Sequence, residues 1–368
     1  MTPLCIDARW LHTGIGAYTL NLVREISHSG EFDLHLLAYR DNQTKLQPYA
    51  RSITIVDAPI YSVSEQCSVA NAARPYSLLH VPHYTAPLPR TRTLLVTIHD
   101  LTHILDARLR TSWQSRLYAR PMLHLVSAKA DHIFTVSEYS KRQIMEHLGV
   151  RPEKVTVTYN GVGREFYREA DDVARATVAR ECGVERPFVL YVGNLKRHKN
   201  VDGLLRAFAQ LNQRNSDAWQ LVVVGDPTGE GAALRELAGR LGITGAVCFA
   251  GRVSERVLRA AYSCAELTVL PSFEEGFGLP VVEAMACGSP VACSQSASLP
   301  EVGGDAAEYF DPHDTDSIAA AMELILLKSS AERNEVQRKG FEQARRFTWS
   351  DCANRHREVY RRYAAEQS

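Results

Sequence analysis

The sequence lacks any apolar run of about 18 residues, and it contains no low-complexity tract or internal repeat. These absences argue against a membrane-spanning helix and against a repeat architecture. The eight cysteines form no CxxC pair, so the sequence predicts neither a disulfide framework nor a zinc site. The first residues also lack the basic and apolar regions of a signal peptide, and we therefore expect a cytoplasmic protein.

The chain has no net charge, because 42 Lys and Arg balance 42 Asp and Glu, and we expect no nucleic-acid partner. Residues 1–163 carry 17 Lys and Arg against 13 Asp and Glu, or +4, and the remainder carries 25 against 29, or −4. One stretch interleaves basic and apolar residues, and its cations are Arg108, Arg110, Arg116, Arg120 and Lys129. It is either an ordinary amphipathic surface helix or a contact with an anionic membrane surface or lipid-phosphate acceptor. The second interpretation would make the protein peripheral on the cytoplasmic face of the inner membrane.

At 368 residues the chain exceeds the usual size of a single core, so two domains are expected. Short apolar runs alternate with helical patterns, and continuous apolar runs are typical of strands buried on both faces of a parallel sheet. The predicted strands are Leu4–Ile6, Asp33–Tyr39, Ile53–Val56, Ser77–Val81, Leu94–His99, His132–Val136, Val155–Thr158, Pro187–Val192, Gln220–Val224, Val247–Phe249, Leu267–Leu270 and Val291–Cys293. The predicted helices are Tyr18–His28, Glu138–Leu148, Val201–Asn212, Gly231–Leu241, Arg256–Cys264, Pro280–Ala286, Asp316–Lys328 and Asp351–Ala364.

The segment Asn160–Gly163 separates two sets of strands and helices, and its composition is typical of a turn or hinge. The sequence therefore predicts an N-terminal domain at residues 1–163 and a C-terminal domain at residues 164–345. A terminal helix at residues 346–368 is expected to pack back onto the first domain. Each domain should be a doubly wound, Rossmann-like α/β sheet that binds ligands at the carboxyl ends of its strands.

The strongest motif, Pro271–Gly288, follows a predicted strand and opens a predicted helix. Gly276 and Gly278 allow the backbone to approach a ligand closely, and the helix N-terminus behind them offers amides to an anion. Glu275 would lie in the loop beside a sugar. Glu283 would lie in the first helical turn, where its two oxygens could bind a ribose diol. A glycine-rich turn with two solvated glutamates is the alternative interpretation.

A second loop, at residues 193–200, also leads from a predicted strand into a helix, and it contains Lys196, Arg197 and Lys199. Three cations beside helix amides are suited to binding a diphosphate. Basic residues before a helix are otherwise often only solvated. The presence of the glutamate motif in the same predicted domain favours the diphosphate interpretation.

In the N-terminal domain, Gly14 and Gly16 follow the first predicted strand and could let the backbone face a ligand. A dinucleotide motif would have a third glycine where this chain has Thr19, which argues against NAD binding. A plain tight turn is the other interpretation of these glycines. His99 ends a predicted apolar strand, and it is either a site residue or a satisfied core histidine.

Two further patterns have the spacing of metal ligands. Asp314-Thr315-Asp316 has the form DxD, but it precedes a predicted helix, where Asp is a natural N-cap. His80 and His83 are interrupted by Pro82, and no cysteine or carboxylate cluster accompanies them. We therefore predict that the protein has no metal site.

The segment EGFGLPVVE, from Glu275 to Glu283, resembles the E-x7-E motif of the family 4 retaining glycosyltransferases. Other segments resemble that family in the same order along nearly the whole chain. They are TGIGAYTLNL, VTIHD, TVSEYSKRQI, VTVTYNGV, VGNLKRHKN, AGRV, SLPEVGGDAAEYFDP and FTW. The resemblance implies the α/β fold called GT-B, in which an acceptor domain and a nucleotide-sugar domain, both Rossmann-like, face a central cleft.

By this resemblance, Glu283 would hold the ribose, Glu275 the hydroxyls of the donor sugar, and Lys199 the diphosphate. His99 would approach the primary hydroxyl or ring of the transferred sugar. The implied catalytic residues are therefore His99, Lys199 and Glu275. The remaining implied donor-binding positions are Gly14, Gly16, Asn194, Arg197, Val253, Gly276, Phe277, Gly278 and Leu279.

One departure from the family affects the implied phosphate site. The family often has Arg at the position of Asn194, so Arg197 or Lys196 would have to supply the missing charge. Lys199 and helix amides can stabilise a leaving diphosphate without a metal, so we expect no cofactor besides the nucleotide sugar. No carboxylate stands out as a nucleophile, which favours retention by front-face transfer.

The motifs look most like those of bacterial mannosyl- and rhamnosyltransferases that build surface polysaccharides such as lipopolysaccharide O-antigen. GDP-mannose is the first expected donor and a GDP-deoxyhexose such as GDP-rhamnose is the second. The expected acceptor is a saccharide or a polyprenyl-linked saccharide. The alternatives are a GT-B sugar-nucleotide epimerase, a nicotinamide dehydrogenase and a non-catalytic nucleotide-sugar-binding subunit.

Overall fold

The continuous apolar runs of the chain form the strands of two parallel sheets, each in its own unit of the computed structural model. The structure describes residues 2–12, 15–89, 91–102, 113–215, 219–226 and 228–366. The first unit takes in the described residues up to Gly161 and again from Thr348 onward. The second unit consists of Val162–Phe347.

The sheet of the first unit has seven parallel strands in the described residues. They are β1 (Thr2–Asp7), β2 (Phe32–Ala38), β3 (Ser52–Ile55), β4 (Leu78–Val81), β5 (Thr93–Thr97), β6 (His132–Thr135) and β7 (Val155–Val157). Their order is β3-β2-β1-β4-β5-β6-β7, and Leu4 of β1 pairs with Leu34 on one side and Leu78 on the other. The winding of the sheet therefore reverses between β1 and β4, which is where doubly wound sheets form a crevice.

Helices cover this sheet. They are α1 (Gly16–Ser29), α2 (Gln43–Leu46), α3 (Val63–Ala73), α4 (Trp113–Lys129), α5 (Glu138–Leu148) and, at the end of the chain, α14 (Trp349–Ala365). The predicted bounds of α5 are confirmed: the Ser137 hydroxyl accepts a hydrogen bond from the Ser140 amide, and Gly149 ends the helix in the left-handed conformation. No described helix is apolar over a length that would cross a membrane.

The second unit repeats this plan with six described strands. They are β8 (Phe188–Val192), β9 (Gln220–Val224), β10 (Val247–Gly251), β11 (Leu267–Leu270), β12 (Val291–Ser294) and β13 (Ala307–Phe310). Their order is β10-β9-β8-β11-β12-β13, so the winding reverses between β8 and β11. The predicted α/β fold with two doubly wound, Rossmann-like sheets is confirmed.

The helices of the second unit are α6 (Asp171–Cys182), α7 (Val201–Arg214), α8 (Gly231–Arg240), α9 (Glu255–Cys264), α10 (Leu279–Ala286), α11 (Leu299–Gly303), α12 (Thr315–Leu326) and α13 (Ser330–Ala344). The apolar face of α7, from Val201 to Leu211, is buried in the core. In this unit, sequence analysis missed α6, α11, α13 and the short strand β13, and in the first unit it missed α2 and α3.

Buried polar contacts fix α14 to the first unit. His356, on α14, has its Nδ1 2.8 Å from the carbonyl oxygen of Cys352 one turn earlier. A carbonyl oxygen can only accept, so Nδ1 carries the hydrogen. Burial lowers the pKa of His356 to about 4, so the ring is neutral at pH 7. Its Nε2 therefore accepts a hydrogen bond from the hydroxyl of Tyr18 on α1, at 2.8 Å.

The donor and the acceptor of each following hydrogen bond can be assigned in the same way. Because Tyr18 donates to His356, its oxygen accepts from the hydroxyl of Thr97, at 2.9 Å. Thr97 in turn accepts from Nε2 of His80 at 2.8 Å, and Nδ1 of His80 accepts from the hydroxyl of Tyr360 at 2.7 Å. Burial lowers the pKa of His80 well below its ordinary value, in agreement with a neutral ring. This chain of hydrogen bonds starts and ends on α14 and joins it to α1, β4 and β5.

These buried histidines should make folding sensitive to acid. A histidine with a pKa below the value of about 6.5 in an unfolded chain binds its proton preferentially when unfolded. We therefore expect the free energy of unfolding to fall as the pH drops below about 6.5, by up to ~1.4 kcal/mol per pH unit for each such histidine. For His356 the loss continues down to about pH 4.

Urea unfolding at a series of pH values measures this slope. The variant His356→Gln should reduce the slope by about one proton. The same replacement of His147, which is exposed on α5, is the matched control for the loss of a histidine. A slope that His356→Gln does not alter would contradict the neutral, buried state of this ring.

Candidate functional site

Two loops of the second unit meet at the carboxyl ends of β8 and β11, where the winding of the sheet reverses. The phosphate loop, residues 193–200, follows β8, and the glutamate loop, residues 271–278, follows β11. The amide of Phe273 donates a hydrogen bond to the carbonyl oxygen of His198 at 2.8 Å, which joins the two loops directly. Doubly wound sheets bind their ligands at this position.

Lys199 and Glu275 form an ion pair between these loops. Lys199 Nζ lies 2.6 Å from Glu275 Oε1, and only 15% and 12% of the two side chains are exposed. Ser272 also donates to Glu275 Oε1, at 2.8 Å, and Ser298 donates to the carbonyl oxygen of Glu275 at 2.9 Å. Glu275 is thus held through both its side-chain carboxylate and its backbone carbonyl group. Sequence analysis singled out Lys199 and Glu275 separately and did not anticipate their contact.

Asn200 aligns the two loops. It lies at the N-terminus of α7 in the left-handed conformation, with φ of 54°. Its side-chain amide donates to the carbonyl oxygens of Pro271, at 3.1 Å, and Pro312, at 2.8 Å. Gly203 leaves room for this side chain, because a Cβ at Gly203 would lie 2.5 Å from Oδ1 of Asn200. Sequence analysis missed Asn200, although Asn directly before a predicted helix is a recognisable N-terminal signal.

The helix behind the glutamate loop, α10, begins one residue before the predicted start. Gly278 precedes it with φ of 96°, Pro280 lies in its first turn, and Gly288 follows it with φ of 82°. Glu283 is the fifth residue of α10. The prediction that Glu283 lies in the first helical turn is therefore wrong: the helix already starts at Leu279, which places Glu283 in the second turn.

Glu283 is paired with a tyrosine that sequence analysis missed. The hydroxyl of Tyr262, a fully buried residue of α9, donates to Glu283 Oε2 at 3.0 Å. Burial raises the pKa of Glu283 to about 7, the hydrogen bond from Tyr262 opposes this rise, and the negative charge of Glu165 adds to it. One carboxylate oxygen is engaged by Tyr262, which leaves Oε1 as the oxygen suited to a ligand.

The two cations expected to replace a missing arginine differ in their surroundings. The guanidinium Nε of Arg197 is 3.1 Å from Glu230, so the charge of Arg197 already has a partner. Lys196 is exposed. Asn194 is also exposed, and its Oδ1 accepts a hydrogen bond from the Lys196 amide at 3.3 Å, which shapes the loop. Among these cations, Lys199 is the one that lies against the glutamate loop.

The other donor-binding positions of this unit occupy the same edge of the sheet. Gly276, Phe277 and Gly278 are buried at the end of the glutamate loop, and Leu279, the first residue of α10, is half-buried. The ring of Phe277 packs edge-on against Phe347, with centroids 5.5 Å apart, so this side chain belongs to the core. Val253 follows the end of β10 and is half-buried.

The first unit holds His99, which lies beyond the end of β5, because β5 ends at Thr97. The prediction that the strand extends to His99 is therefore wrong by two residues. His99 Nε2 donates to the carbonyl oxygen of Pro82 at 3.1 Å, and its ring meets that of Tyr18 edge-on, with centroids 4.7 Å apart. Burial lowers the pKa of His99, and the neutral ring presents Nδ1 as an acceptor.

Close packing requires glycine at position 16, because a Cβ there would lie 2.2 Å from the carbonyl oxygen of Leu11. Gly14 lies outside the described residues, as do Arg108, Arg110 and the side chain of Arg116. Lys129, from the same basic stretch, donates to three carbonyl oxygens at 2.5–2.9 Å, those of Pro87, Leu88 and Pro89. It therefore holds a loop, and of the described cations in this stretch only Arg120 is exposed.

The two patterns with metal-like spacing have structural roles. Asp314 is the N-cap of α12, and its carboxylate accepts a hydrogen bond from the Asp316 amide at 2.9 Å, as predicted. His80 is engaged by Thr97 and Tyr360. Within the described ranges, no group of three or more His, Cys, Asp or Glu side chains could hold a metal ion.

Comparison with known proteins identifies the class. The family model "Glycosyl transferases group 1" matches residues 179–343, and the model "Glycosyltransferase Family 4" matches residues 12–166. Solved structures with the same fold include sucrose-phosphate synthase from Thermosynechococcus elongatus, with a TM-score of 0.80 and 21% identity over 100% of both chains. Another is Anabaena Alr3699/HepE in complex with UDP and glucose, with a TM-score of 0.79 and 19% identity over 98% of this chain and 99% of that one. The fold is GT-B.

Two curated relatives extend the comparison. The O-antigen chain mannosyltransferase B of Escherichia coli is 28% identical over 95% of this chain and 96% of its own length. A D-inositol 3-phosphate glycosyltransferase from Salinispora tropica is 30% identical over 82% of this chain and 67% of its own length. The chain belongs to the family 4 glycosyltransferases and is a glycosyltransferase of the retaining type.

The contacts of Glu283 predict two opposite shifts of its titration. Tyr262→Phe removes the hydrogen bond that stabilises the carboxylate, so the pKa of Glu283 should rise above its value of about 7. Glu165→Gln removes a nearby negative charge, so the pKa should fall. NMR titration of the side-chain carboxyl carbon of Glu283 measures both. Shifts in the same direction, or no shift in either variant, would show that these neighbours do not control the carboxyl group.

Proposed function

We propose that this enzyme transfers a hexosyl group, with retention, from a nucleoside diphosphate sugar to a saccharide or polyprenyl-linked saccharide. GDP-mannose is the first choice of donor and a GDP-deoxyhexose such as GDP-rhamnose the second. Mannose is supported by the names of two relatives, the O-antigen chain mannosyltransferase B and the serotype-specific mannosyltransferase WbdA of Escherichia coli. A nucleoside diphosphate is supported by the name of the Anabaena structure, which contains UDP.

The observation that carries this proposal is the 2.6 Å ion pair between Lys199 and Glu275 at the ends of β8 and β11. A diphosphate is a stronger partner for Lys199 than one carboxylate, because it brings two charged groups and several acceptor oxygens. On donor binding, Lys199 exchanges Glu275 for the diphosphate. Glu275, still held by Ser272 and through its backbone by Ser298, then accepts hydrogen bonds from the sugar hydroxyls.

The remaining donor contacts of the proposal combine the family resemblance with the surroundings of each residue. The N-terminus of α7, directly after Lys199, presents backbone amides and the positive end of a helix dipole to the diphosphate. Glu283 binds the ribose hydroxyls through Oε1, while Tyr262 keeps Oε2 in place. For His99, in the first unit, it is the family resemblance that implies a contact with a hydroxyl of the transferred sugar. Because Nε2 donates to Pro82, Nδ1 is the atom that would accept this hydrogen bond.

The transfer breaks the bond from the anomeric carbon to the diphosphate oxygen and forms a bond from the same carbon to an acceptor oxygen. The leaving phosphate oxygen takes the acceptor proton, which accounts for retention without a protein nucleophile. Negative charge develops on the diphosphate, and Lys199 with the helix amides stabilises it. This chemistry requires no metal ion, and the nucleotide sugar is the only small molecule besides the acceptor.

Replacement of Lys199 tests this assignment. Lys199→Gln should lower kcat for hexosyl transfer from GDP-mannose about 10²–10³-fold, because one contact to the developing charge is lost. Lys196→Gln removes an equal charge from an exposed position of the same loop and is the matched control. Nucleotide release is measured with EDTA present throughout. A loss in Lys196→Gln as large as that in Lys199→Gln would point to a general effect of charge and contradict the assignment.

A further inference from the structure

Aromatic side chains gather at the carboxyl ends of β1 and β4, where the winding of the first sheet reverses. Trp10 lies in the helical turn that follows β1, and His83 lies just after β4. Their rings stack, with centroids 3.8 Å apart and planes at 28°. Both are buried, with 4% and 7% of their surface exposed. In the described part of the first unit, this stacked and buried pair of rings thus lies at the position where doubly wound sheets bind ligands.

The ring of Tyr61 packs against this pair. Its ring meets Trp10 and His83 edge-on, with centroids 6.0 and 6.1 Å away and planes at 74° and 72°. The ring of Tyr84 is 6.4 Å from it. Unlike the rings beneath it, Tyr61 is 50% exposed. Other rings therefore hold the Tyr61 ring in place, and half of the surface of Tyr61 is exposed.

The backbone of Tyr61 is held in an unfavourable conformation. Its φ is 67°, in the left-handed region, which a residue with a bulky side chain rarely adopts. The amide of Tyr61 donates to Glu65 Oε2 at 2.8 Å, while Glu65 Oε1 accepts from Nη2 of Arg9, also at 2.8 Å. Arg9 binds both oxygens of Asp7 at 2.9 and 2.7 Å.

The side chains of Asp7, Arg9 and Glu65 are completely buried. Burying three charged groups and holding Tyr61 at positive φ both cost free energy. Together they fix the direction of one exposed ring. Strain of this kind is typical of functional sites, where the surrounding structure enforces the geometry.

We propose that the ring of Tyr61, supported by Trp10 and His83, is a stacking platform for a pyranose ring of the acceptor saccharide. This inference rests on the proposed function, because it assigns the acceptor class to the first unit. One face of a pyranose ring presents C–H bonds, which pack on an aromatic face, while its hydroxyl groups remain hydrated. A single ring held in one direction suits such a planar contact. An acyl chain would not require a fixed direction.

The test separates the ring of Tyr61 from its backbone. Tyr61→Gly removes the ring and also relieves the positive φ, so the variant should fold with a Tm no lower than that of the wild type. Tyr61→Phe keeps the ring. Val63→Ala alters the neighbouring residue, which is 86% exposed, and is the matched surface control. Binding of methyl α-mannoside and of an α-linked mannobiose is measured by saturation-transfer NMR.

We expect Tyr61→Gly to weaken saccharide binding about ten-fold, and Tyr61→Phe and Val63→Ala to leave it nearly unchanged. Wild-type affinity in Tyr61→Gly, or an equal loss in Val63→Ala, would overturn the platform. If Tyr61→Gly loses binding to anionic phospholipid vesicles while its saccharide binding stays intact, the result would overturn the platform in favour of a lipid contact.

Donor binding distinguishes this inference from the proposed function. The thermal shift caused by GDP-mannose should be the same in wild type, Tyr61→Gly and Tyr61→Phe, because these changes lie in the first unit and the proposed donor contacts of Lys199, Glu275 and Glu283 lie in the second. If no nucleotide sugar shifts the Tm of the wild type, the proposed function fails, whatever the result of the saccharide-binding measurements. If the donor shift persists and Tyr61→Gly binds both mannosides normally, only the platform fails.

Discussion

The ion pair between Lys199 and Glu275 is the contact on which the site of the second unit depends. It exists because the winding of the sheet reverses between β8 and β11, which brings the ends of two distant segments together. Each charge is nearly buried, so removing one would leave the other without a partner at considerable cost. Asn200 maintains the alignment by binding carbonyl oxygens of both Pro271 and Pro312. The diphosphate that we propose as the partner of Lys199 would therefore enter a site whose geometry is already set.

Much of the fold could be predicted from the sequence because parallel strands buried on both faces are continuous apolar runs. Every predicted strand has a counterpart in the structure, mostly within two residues. The elements that were missed carry weak signals. The helices α6 and α13 each bury only a few residues, such as Ala174 and Val178 in α6, so their apolar stripes are narrow. The strand β13 has four residues, which are too few to show a reliable alternation of apolar and polar side chains.

The candidate site was predictable only in part, for a physical reason. Glycines, charges and a helix start at fixed spacing mark Glu275, Glu283 and Lys199 along the chain itself. Tyr262 is an ordinary polar residue whose importance comes from the tertiary contact that brings it to Glu283. The partner of Arg197, Glu230, also lies in another loop, and no local pattern indicates it. In the first unit, the same holds for Tyr61, whose exposure and positive φ appear only in the structure.

The central claim is that the second unit binds a nucleoside diphosphate sugar through Lys199, Glu275 and Glu283. A thermal-shift measurement without metal, across UDP-, GDP-, ADP-, dTDP- and CDP-linked sugars, tests it most directly. A ligand at 100 times its Kd stabilises a protein by about 2.7 kcal/mol, which gives a measurable rise in Tm. The account predicts such a rise with GDP-mannose and its absence in Glu283→Ala. No rise with any nucleotide sugar, accompanied by a rise with NADH, would contradict it.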